Sequence, residues 1–243
     1  MKLHVLGCGD AFGSGGRLQT CFFVEGSSRR FLVDCGATAL VAMRRYGIDP
    51  NEIGAIFLTH LHGDHFGGLP FFILDGQLVS RRTAPLLIAG PPGLRERLAV
   101  LMEAMFPGSS SAHRRFPLTL VELSPETRAE IGGVEVTPFP VLHPSGAPSF
   151  ALRLECEGKV ICYTGDTEWV DALISAGKGA DLLIAEAYTF ERSVRFHLNW
   201  QALRLHLEAI GAAKVLLTHM SSDMLDRVPD GCMAAEDGLS FAI

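Results

Sequence analysis

Thr59-His60-Leu61-His62-Gly63-Asp64-His65 brings three imidazoles and a carboxylate into one short stretch of chain. That density suits a divalent metal. Imidazole nitrogen matches zinc and other borderline ions, and a carboxylate completes a mixed donor set that leaves the ion Lewis-acidic. A lone histidine is most often an ordinary satisfied polar residue; four candidate donors packed this tightly are not explained as scattered loop polarity. The cluster follows the apolar run Ile53–Leu58, read as a buried strand, so its side chains fall at the rim of a sheet. The strand period of two would send His60 and His62 to one side. A turn at Gly63 would swing Asp64 and His65 toward a second centre.

The elements that must hold this cluster alternate along the chain. Strands are expected at Lys2–Gly7, Cys21–Glu25, Phe31–Cys35, Pro85–Ala89, Leu118–Leu123 and Val134–Val141. More follow at Phe150–Cys156, Val160–Tyr163, Asp181–Ala185 and Lys214–Leu217. Helices fit Ala37–Tyr46, stopped by Gly47 and Pro50, and also Gly93–Met105, Trp169–Ala176 and Trp200–Ile210. Mixed alternation of this kind predicts an α/β fold, with a layered αββα arrangement as the specific form. No composition shift marks a boundary, so residues 1–243 read as a single domain. Phe106–Phe116, with Pro107, Gly108 and three serines, reads as a mobile loop whose His113, Arg114 and Arg115 are solvated or serve a lid. Arg81-Arg82 reads as a solvated turn, His4 as an ordinary strand residue and His206 as an ordinary mid-helix residue.

The 243 residues are 48% apolar and 20% charged, enough to bury a sizeable core, which excludes a disulfide-stapled miniprotein and a disordered tail. The formal charge of −6 argues against non-specific nucleic-acid binding, which rests on phosphate neutralisation. Mean hydropathy is +0.25, yet no run approaches the roughly 18 apolar residues of a membrane span. The opening Met1–Gly7 is too short and too soon broken to read as an export signal, and the six cysteines form no CxxC pair. Reduced thiols in the cytoplasm are the expectation.

His60-Leu61-His62-Gly63-Asp64-His65, followed by Phe66-Gly67-Gly68-Leu69-Pro70, resembles the HxHxDH motif of the metallo-β-lactamase fold superfamily. The remaining family positions match His143 in Val141-Leu142-His143-Pro144, Asp166 in Tyr163-Thr164-Gly165-Asp166-Thr167, and His219 in Leu216-Leu217-Thr218-His219-Met220. The resemblance implies a four-layer αββα sandwich with two divalent metal ions at one edge, zinc first, with manganese or iron as alternatives. It implies that His60, His62 and His143 hold one ion, that Asp64, His65 and His219 hold the other, and that Asp166 bridges them. The antibiotic-resistance enzymes of this fold commonly place Cys where the acidic bridge stands here, which argues against that activity.

Within the superfamily, Gly7-Cys8-Gly9-Asp10-Ala11-Phe12-Gly13 with Gln19-Thr20-Cys21, and Glu186-Ala187-Tyr188-Thr189-Phe190, resemble ribonuclease Z and its phosphodiesterase relatives. In ribonuclease Z a His between the bridging Asp and the final His assists catalysis; His197 is the match, with Glu186 as the residue that would orient it. Ribonuclease Z proper carries a long tRNA-gripping arm between the positions of His143 and Asp166. That stretch here holds only two expected strands, so no arm fits. The compact cyclic ribosyl phosphate phosphodiesterase of phosphonate breakdown is closer in build, but its N-terminal Cys cluster is missing from Gly13–Thr20.

The expectation is therefore a dinuclear metal-dependent phosphodiesterase of small or cyclic phosphodiesters, working by attack of a metal-bridging hydroxide. Asp64 would be a ligand that also holds the hydroxide's proton, and His197 would protonate the leaving oxygen. The alternatives are a ribonuclease Z-like RNA endonuclease, an ester, lactone or thioester hydrolase of the same fold, and a metal-binding sensor without chemistry. The filled ligand set disfavours the last. The expected partner is a small anionic phosphodiester; nucleic acid is disfavoured, a membrane is not expected, and pairing as a homodimer stays open.

Overall fold

Phe31 and Val33 join one buried cluster and Leu32 another, so the sheet that holds them is covered on both faces. The computed structural model describes residues 1–243. In chain order the elements are β1 (Lys2–Gly7), β2 (Cys21–Glu25), β3 (Arg30–Val33), α1 (Ala39–Tyr46), β4 (Ala55–Phe57), α2 (Gly63–Phe66), α3 (Leu69–Leu78) and β5 (Leu86–Gly90). Then come α4 (Leu94–Met105), β6 (Leu118–Glu122), β7 (Ala129–Ile131), β8 (Val134–Val141), β9 (Ser149–Cys156), β10 (Lys159–Tyr163), α5 (Ala172–Gly177) and β11 (Leu182–Glu186). The chain ends with α6 (Trp200–Arg204), α7 (Leu207–Ile210), β12 (Val215–Thr218), α8 (Ser222–Leu225), β13 (Met233–Ala234) and β14 (Ser240–Ala242).

Two seven-stranded sheets result, ordered β14-β1-β2-β3-β4-β5-β6 and β13-β12-β11-β10-β9-β8-β7. Strands β3 to β6 run parallel, as do β10 to β12. β8 shares the direction of β10, since each pairs antiparallel with β9. The C-terminal ends of these strands therefore supply the loops that bear function.

Between the sheets lies a core that includes Phe22, Phe31, Phe57, Phe150 and Tyr163, with the Phe22 and Tyr163 rings packed edge to face at 5.3 Å. Leu32, Ile56 and Ile88 on the outer face of the first sheet meet Met43 of α1, Phe72 and Ile73 of α3 and Leu98 of α4. Cys162, Leu183 and Leu217 of the second sheet meet Leu173 of α5, Leu203 of α6 and Ile210 of α7. Helices thus cover both outer faces of a sheet-on-sheet core, the αββα layering of the metallo-β-lactamase type. No helix is long and apolar enough to cross a membrane.

Four expectations need correction. α3 has no counterpart among the expected elements. Its apolar side chains surround it, and Pro70 and Gly76 look like breakers. Pro70 sits in the first turn, where no N–H is needed, and a Cβ on Gly76 would press within 3.1 Å of the Phe116 ring. The expected helix Trp200–Ile210 is two short helices, with His206 at their junction stacked on the Trp169 indole at 3.7 Å. Arg82 is buried, not solvated. Its guanidinium donates to the carbonyls of Pro50, Ile53, Ala84 and Pro85 at 2.6–3.2 Å and so pins the approaches to β4 and β5. The Phe106–Phe116 loop is fastened rather than loose. Gly108 and Ser110 donate to Glu103 of α4, and Arg115 N–H donates to Gln77 of α3 at 2.9 Å.

Candidate metal centre

Five strands end in the residues of one site. Beyond β4 come Thr59, His60 and His62, and α2 carries Asp64 and His65. β8 leads to His143, β10 to Asp166, and β12 to His219, while β11 ends in Glu186. The histidine loop seats on the end of β3: Cys35 N–H donates to the His65 carbonyl at 2.6 Å, and Gly68 N–H donates to the Cys35 carbonyl at 2.9 Å. A Cβ on Gly68 would lie 2.2 Å from the Gly36 carbonyl oxygen, so only glycine permits this approach.

Two donor clusters adjoin. His60, His62 and His143 form one; Asp64, His65, Asp166 and His219 form the other. His143 Nε2 lies 3.0 Å from His62 Nδ1. Asp166 reaches both clusters: Oδ2 is 3.9 Å from His60 Nε2 and from His143 Nε2, and 3.4 Å from His219 Nε2, while Oδ1 is 3.3 Å from His65 Nε2. Asp64 Oδ2 lies 3.3 Å from both His65 Nε2 and His219 Nε2. The buried atoms His60 Nε2, His65 Nε2 and Asp166 Oδ1 nevertheless lack a hydrogen-bond partner. Buried polar atoms are rarely left unpaired, and three unpaired nitrogen and oxygen donors shared between two adjoining clusters fit bound cations.

A second tier fixes the rings. Asp34, fully buried after β3, accepts from His65 Nδ1 at 2.7 Å and from Thr59 N–H and Oγ1 at 2.8 Å each. Thr59 Oγ1 in turn lies 3.0 Å from His60 Nδ1. His143 Nδ1 donates to the Phe196 carbonyl at 2.9 Å. With Nδ1 so engaged, each of these rings turns Nε2 inward, the orientation that metal-binding histidines require. Asp34, Phe196 and His219 all hold positive φ, of 58°, 69° and 56°, a left-handed backbone that non-glycine residues adopt at a cost.

The charge balance of the site favours a cation. Burial and the neighbouring His65 drive the His60 imidazole well below its ordinary pKa, which leaves it neutral with a free lone pair. Burial also works to lower His219, but Asp166, Asp64 and Glu186 outweigh it and push that ring up to about 10. Burial would raise the Asp64 carboxyl, yet His65 and His219 hold it well below the usual carboxylate range. The carboxylates thus demand positive charge, and a metal ion can supply it in place of protons.

Beside the clusters, Glu186 Oε1 accepts from His197 Nδ1 at 2.5 Å, and Glu186 Oε2 accepts from Thr167 N–H at 2.8 Å and Leu198 N–H at 3.0 Å. Burial works to lower the His197 pKa, but the hydrogen bond to Glu186 and the charge of that carboxylate help to leave it raised. Both clusters and His197 open on a cavity of about 180 Å³, also walled by Asp10, Phe12 and Tyr188. No residue of the Phe106–Phe116 loop lines it. The seven histidine and aspartate positions singled out in the sequence, with Glu186 and His197, are therefore brought together. Asp34 and Thr59 are residues sequence reasoning missed. Asp34 does close the apolar run Phe31–Val33, and an acid ending a buried strand was the available signal.

Residues 1–235 match the family described as Anti-Pycsar protein Apyc1. The chain belongs to the Anti-Pycsar protein Apyc1 family. This Apyc1-family chain is 28% identical over 193 residues to the ribonuclease Z of Mycobacterium bovis, covering 76% of this chain and 69% of that one. The crystal structure of human tRNase Z, short form, superposes with a TM-score of 0.82 at 27% identity, covering 100% of this chain and 99% of that one. YhfI of Bacillus subtilis, a metallo-β-lactamase fold protein, superposes with a TM-score of 0.81 at 23% identity over 99% and 98% of the two chains. The Apyc1-family protein thus has the metallo-β-lactamase fold, lies in its ribonuclease Z-like branch, and is a metal-dependent hydrolase.

Proposed function

We propose that this protein is a dinuclear phosphodiesterase of small or cyclic phosphodiesters, acting as one catalytic domain over residues 1–243. The observation that carries the reading is Asp166, reaching into both donor clusters while the Glu186–His197 pair stands beside them on the same cavity. His60, His62 and His143 would hold one ion and Asp64, His65 and His219 the other, with Asp166 common to both. Zinc is the first choice on donor chemistry, and manganese or iron would also accept these nitrogens and oxygens. When bound, such ions lower the pKa of water and neutralise charge gathering on phosphoryl oxygens.

The chain's own groups then divide the remaining work. His197 commits Nδ1 to Glu186, which leaves Nε2 to deliver a proton to the departing oxygen. Glu186 is a positioning residue that also favours the protonated ring. Asp64, held anionic by its histidine neighbours, would serve as a ligand and accept a hydrogen bond from the attacking hydroxide. The cavity of about 180 Å³ suits a phosphoryl group with its immediate substituents better than a helix of RNA. The likeness to tRNase Z supports a second reading, an RNA endonuclease, and the same experiment decides it.

Metal-replete protein is assayed on cyclic nucleotides, cyclic sugar phosphates, bis-p-nitrophenyl phosphate, carboxylic and thioesters, and 3′-extended tRNA, alongside elemental analysis. The expected result is turnover of small phosphodiesters with about two ions per chain. Precursor tRNA cleaved as fast as the small substrates would favour the endonuclease. Ester turnover without phosphodiester turnover, or a ceiling of one ion, would overturn the proposal.

A further inference from the structure

Asp237 stands near the end of the chain, yet both of its carboxylate oxygens are spent on the segment that begins the fold. Oδ1 accepts from Cys8 N–H at 3.1 Å and from the Cys8 thiol at 3.3 Å, and Oδ2 accepts from Leu18 N–H at 2.7 Å. Burial, with the charge of Asp237 beside it, pushes the Cys8 thiol up, so the thiol stays a donor. The residues after Asp237 are docked on β1: Gly238 N–H donates to the Val5 carbonyl at 2.7 Å, and Val5 N–H donates to the Leu239 carbonyl at 2.9 Å. A charged acceptor that holds backbone donors from two separated places fixes those places relative to each other.

What those two places hold decides the consequence. The peptide group between Cys8 and Gly9 is gripped at both ends. Gly9 N–H donates to the Leu18 carbonyl at 2.7 Å, and the Cys8 carbonyl accepts from His219 N–H at 3.0 Å and from Thr218 Oγ1 at 3.3 Å. The two segments touch so closely that a Cβ on Gly7 would lie 2.0 Å from the Gln19 carbonyl oxygen, and one on Gly9 would lie 2.9 Å from that of Arg17. His219 takes a φ of 56°, a conformation that a non-glycine residue keeps only where its surroundings impose it. Its ring Nε2 lies 3.3 Å from Asp64 and 3.4 Å from Asp166. Asp237 is therefore linked through Cys8 to a candidate ligand of one centre. None of these bonds involves His60, His62 or His143, the donors of the other.

We infer that Asp237 is a positioning residue that, through the Cys8 carbonyl, sets the backbone of His219 and so strengthens ion binding by Asp64, His65 and His219 while leaving the centre of His60, His62 and His143 unaffected. This rests on the dinuclear reading above and adds to it a remote group that acts on the two centres unequally. Asparagine cannot take its place. It has a single carbonyl oxygen, and its NH2 would face a second N–H donor.

The test starts from the zinc-loaded full chain. Zinc is withdrawn with a chelator of rising concentration, the zinc retained is measured, and the histidine ring nitrogens are followed by NMR. Asp237→Asn should keep one ion as wild type does and hold the other about 10–100-fold more weakly, the range produced by changing groups that orient metal ligands. The His219 ring should be released first, while His60, His62 and His143 respond as in wild type. Asp237→Glu, with its carboxylate on a longer arm, should fall between the two. Glu157→Gln, at the opposite end of β10 from Asp166, controls for lost stability and should retain both ions as wild type does. Equal weakening of both ions in Asp237→Asn, no weakening, the same loss in Glu157→Gln, or failure of both Asp237 variants to fold would each overturn the inference. A wild type that never holds more than one ion defeats the dinuclear reading and this inference with it, and that failure shows before any substitution is made.

Discussion

At the scale of single residues, the site separates groups that hold charge from one that moves it. His197 stands outside the two clusters that hold the HxHxDH donors, although with Glu186, Asp166 and His219 it forms a third, overlapping group on the same cavity, and its proton is secured by Glu186 at 2.5 Å. Removing a metal ligand should empty or distort a centre; removing a general acid should leave the metals and slow proton delivery alone. His197→Ala is therefore expected to keep wild-type metal content and lose roughly 10²–10⁴ in turnover on substrates with poor leaving groups. On a p-nitrophenyl phosphodiester, whose leaving group departs with little help, the loss should be much smaller. Metal analysis and the two rates on this variant check it, and equal modest losses on both substrates would mark His197 as a packing residue. The donors themselves were legible because HxHxDH compresses four of them into one loop. Asp34 was not. Its role depends on β3 lying parallel to β4, which brings residues 34 and 59 within hydrogen-bond reach, and nothing local to Val33-Asp34-Cys35 announces that pairing.

At the scale of elements, strands were easier to read than helices because a buried strand in a covered sheet is a short apolar run bounded by polar turns. β1, β2 and β8 fall on the expected residues. α3 hides because apolar residues fill nearly all of Leu69–Leu78, with only Asp75 and Gln77 polar, so no amphipathic period marks it. Arg82 is hidden for another reason: four backbone carbonyls that gather only in the folded chain replace its water. The turn between β9 and β10 shows how one charge can tie two elements. Glu157 and Gly158 hold φ of 51° and 75°, the hairpin geometry that tolerates few side chains. The Glu157 carboxylate accepts from Ser27 N–H and Ser28 N–H at 2.8 Å each, in the turn between β2 and β3. Those two backbone bonds hold its pKa at about 2, below the ordinary 4.5. A depressed carboxyl stabilises above its unfolded pKa and loses that contribution as pH falls toward the folded one. Glu157→Gln should accordingly melt lower than wild type near neutrality, with the gap narrowing as pH drops below 4.5 toward 2. Melting temperatures of the two proteins across that window test it, and a gap constant with pH would show that charge is not the cause.

At the scale of the whole molecule, the donor set is divided between the sheets. His60, His62, Asp64 and His65 follow β4 of the first, whereas His143, Asp166 and His219 follow β8, β10 and β12 of the second. The apolar core between the sheets stops at this edge, and in its place stand buried imidazoles and carboxylates whose inward atoms find no protein partner. Bound ions would therefore act as a clasp across the sandwich as well as a reaction centre. A ligand that binds only the folded state stabilises it by RT ln(1 + [L]/Kd), about 4 kcal/mol when free metal exceeds Kd a thousandfold. For a chain of this size each kcal/mol moves the melting temperature by about 2–4 °C, so stripping the ions should lower it by roughly 10 °C. The chelated protein should regain its original melting temperature on adding zinc. Asp166→Ala, which loses the residue common to both clusters, should melt low from the outset and respond weakly to either treatment. This pattern separates a clasp from a peripheral ion, whose removal would leave the melting curve where it was. Identical curves for metal-replete and fully stripped wild type, with metal content verified for both, would mean that the two sheets hold together at this edge without help from the ions.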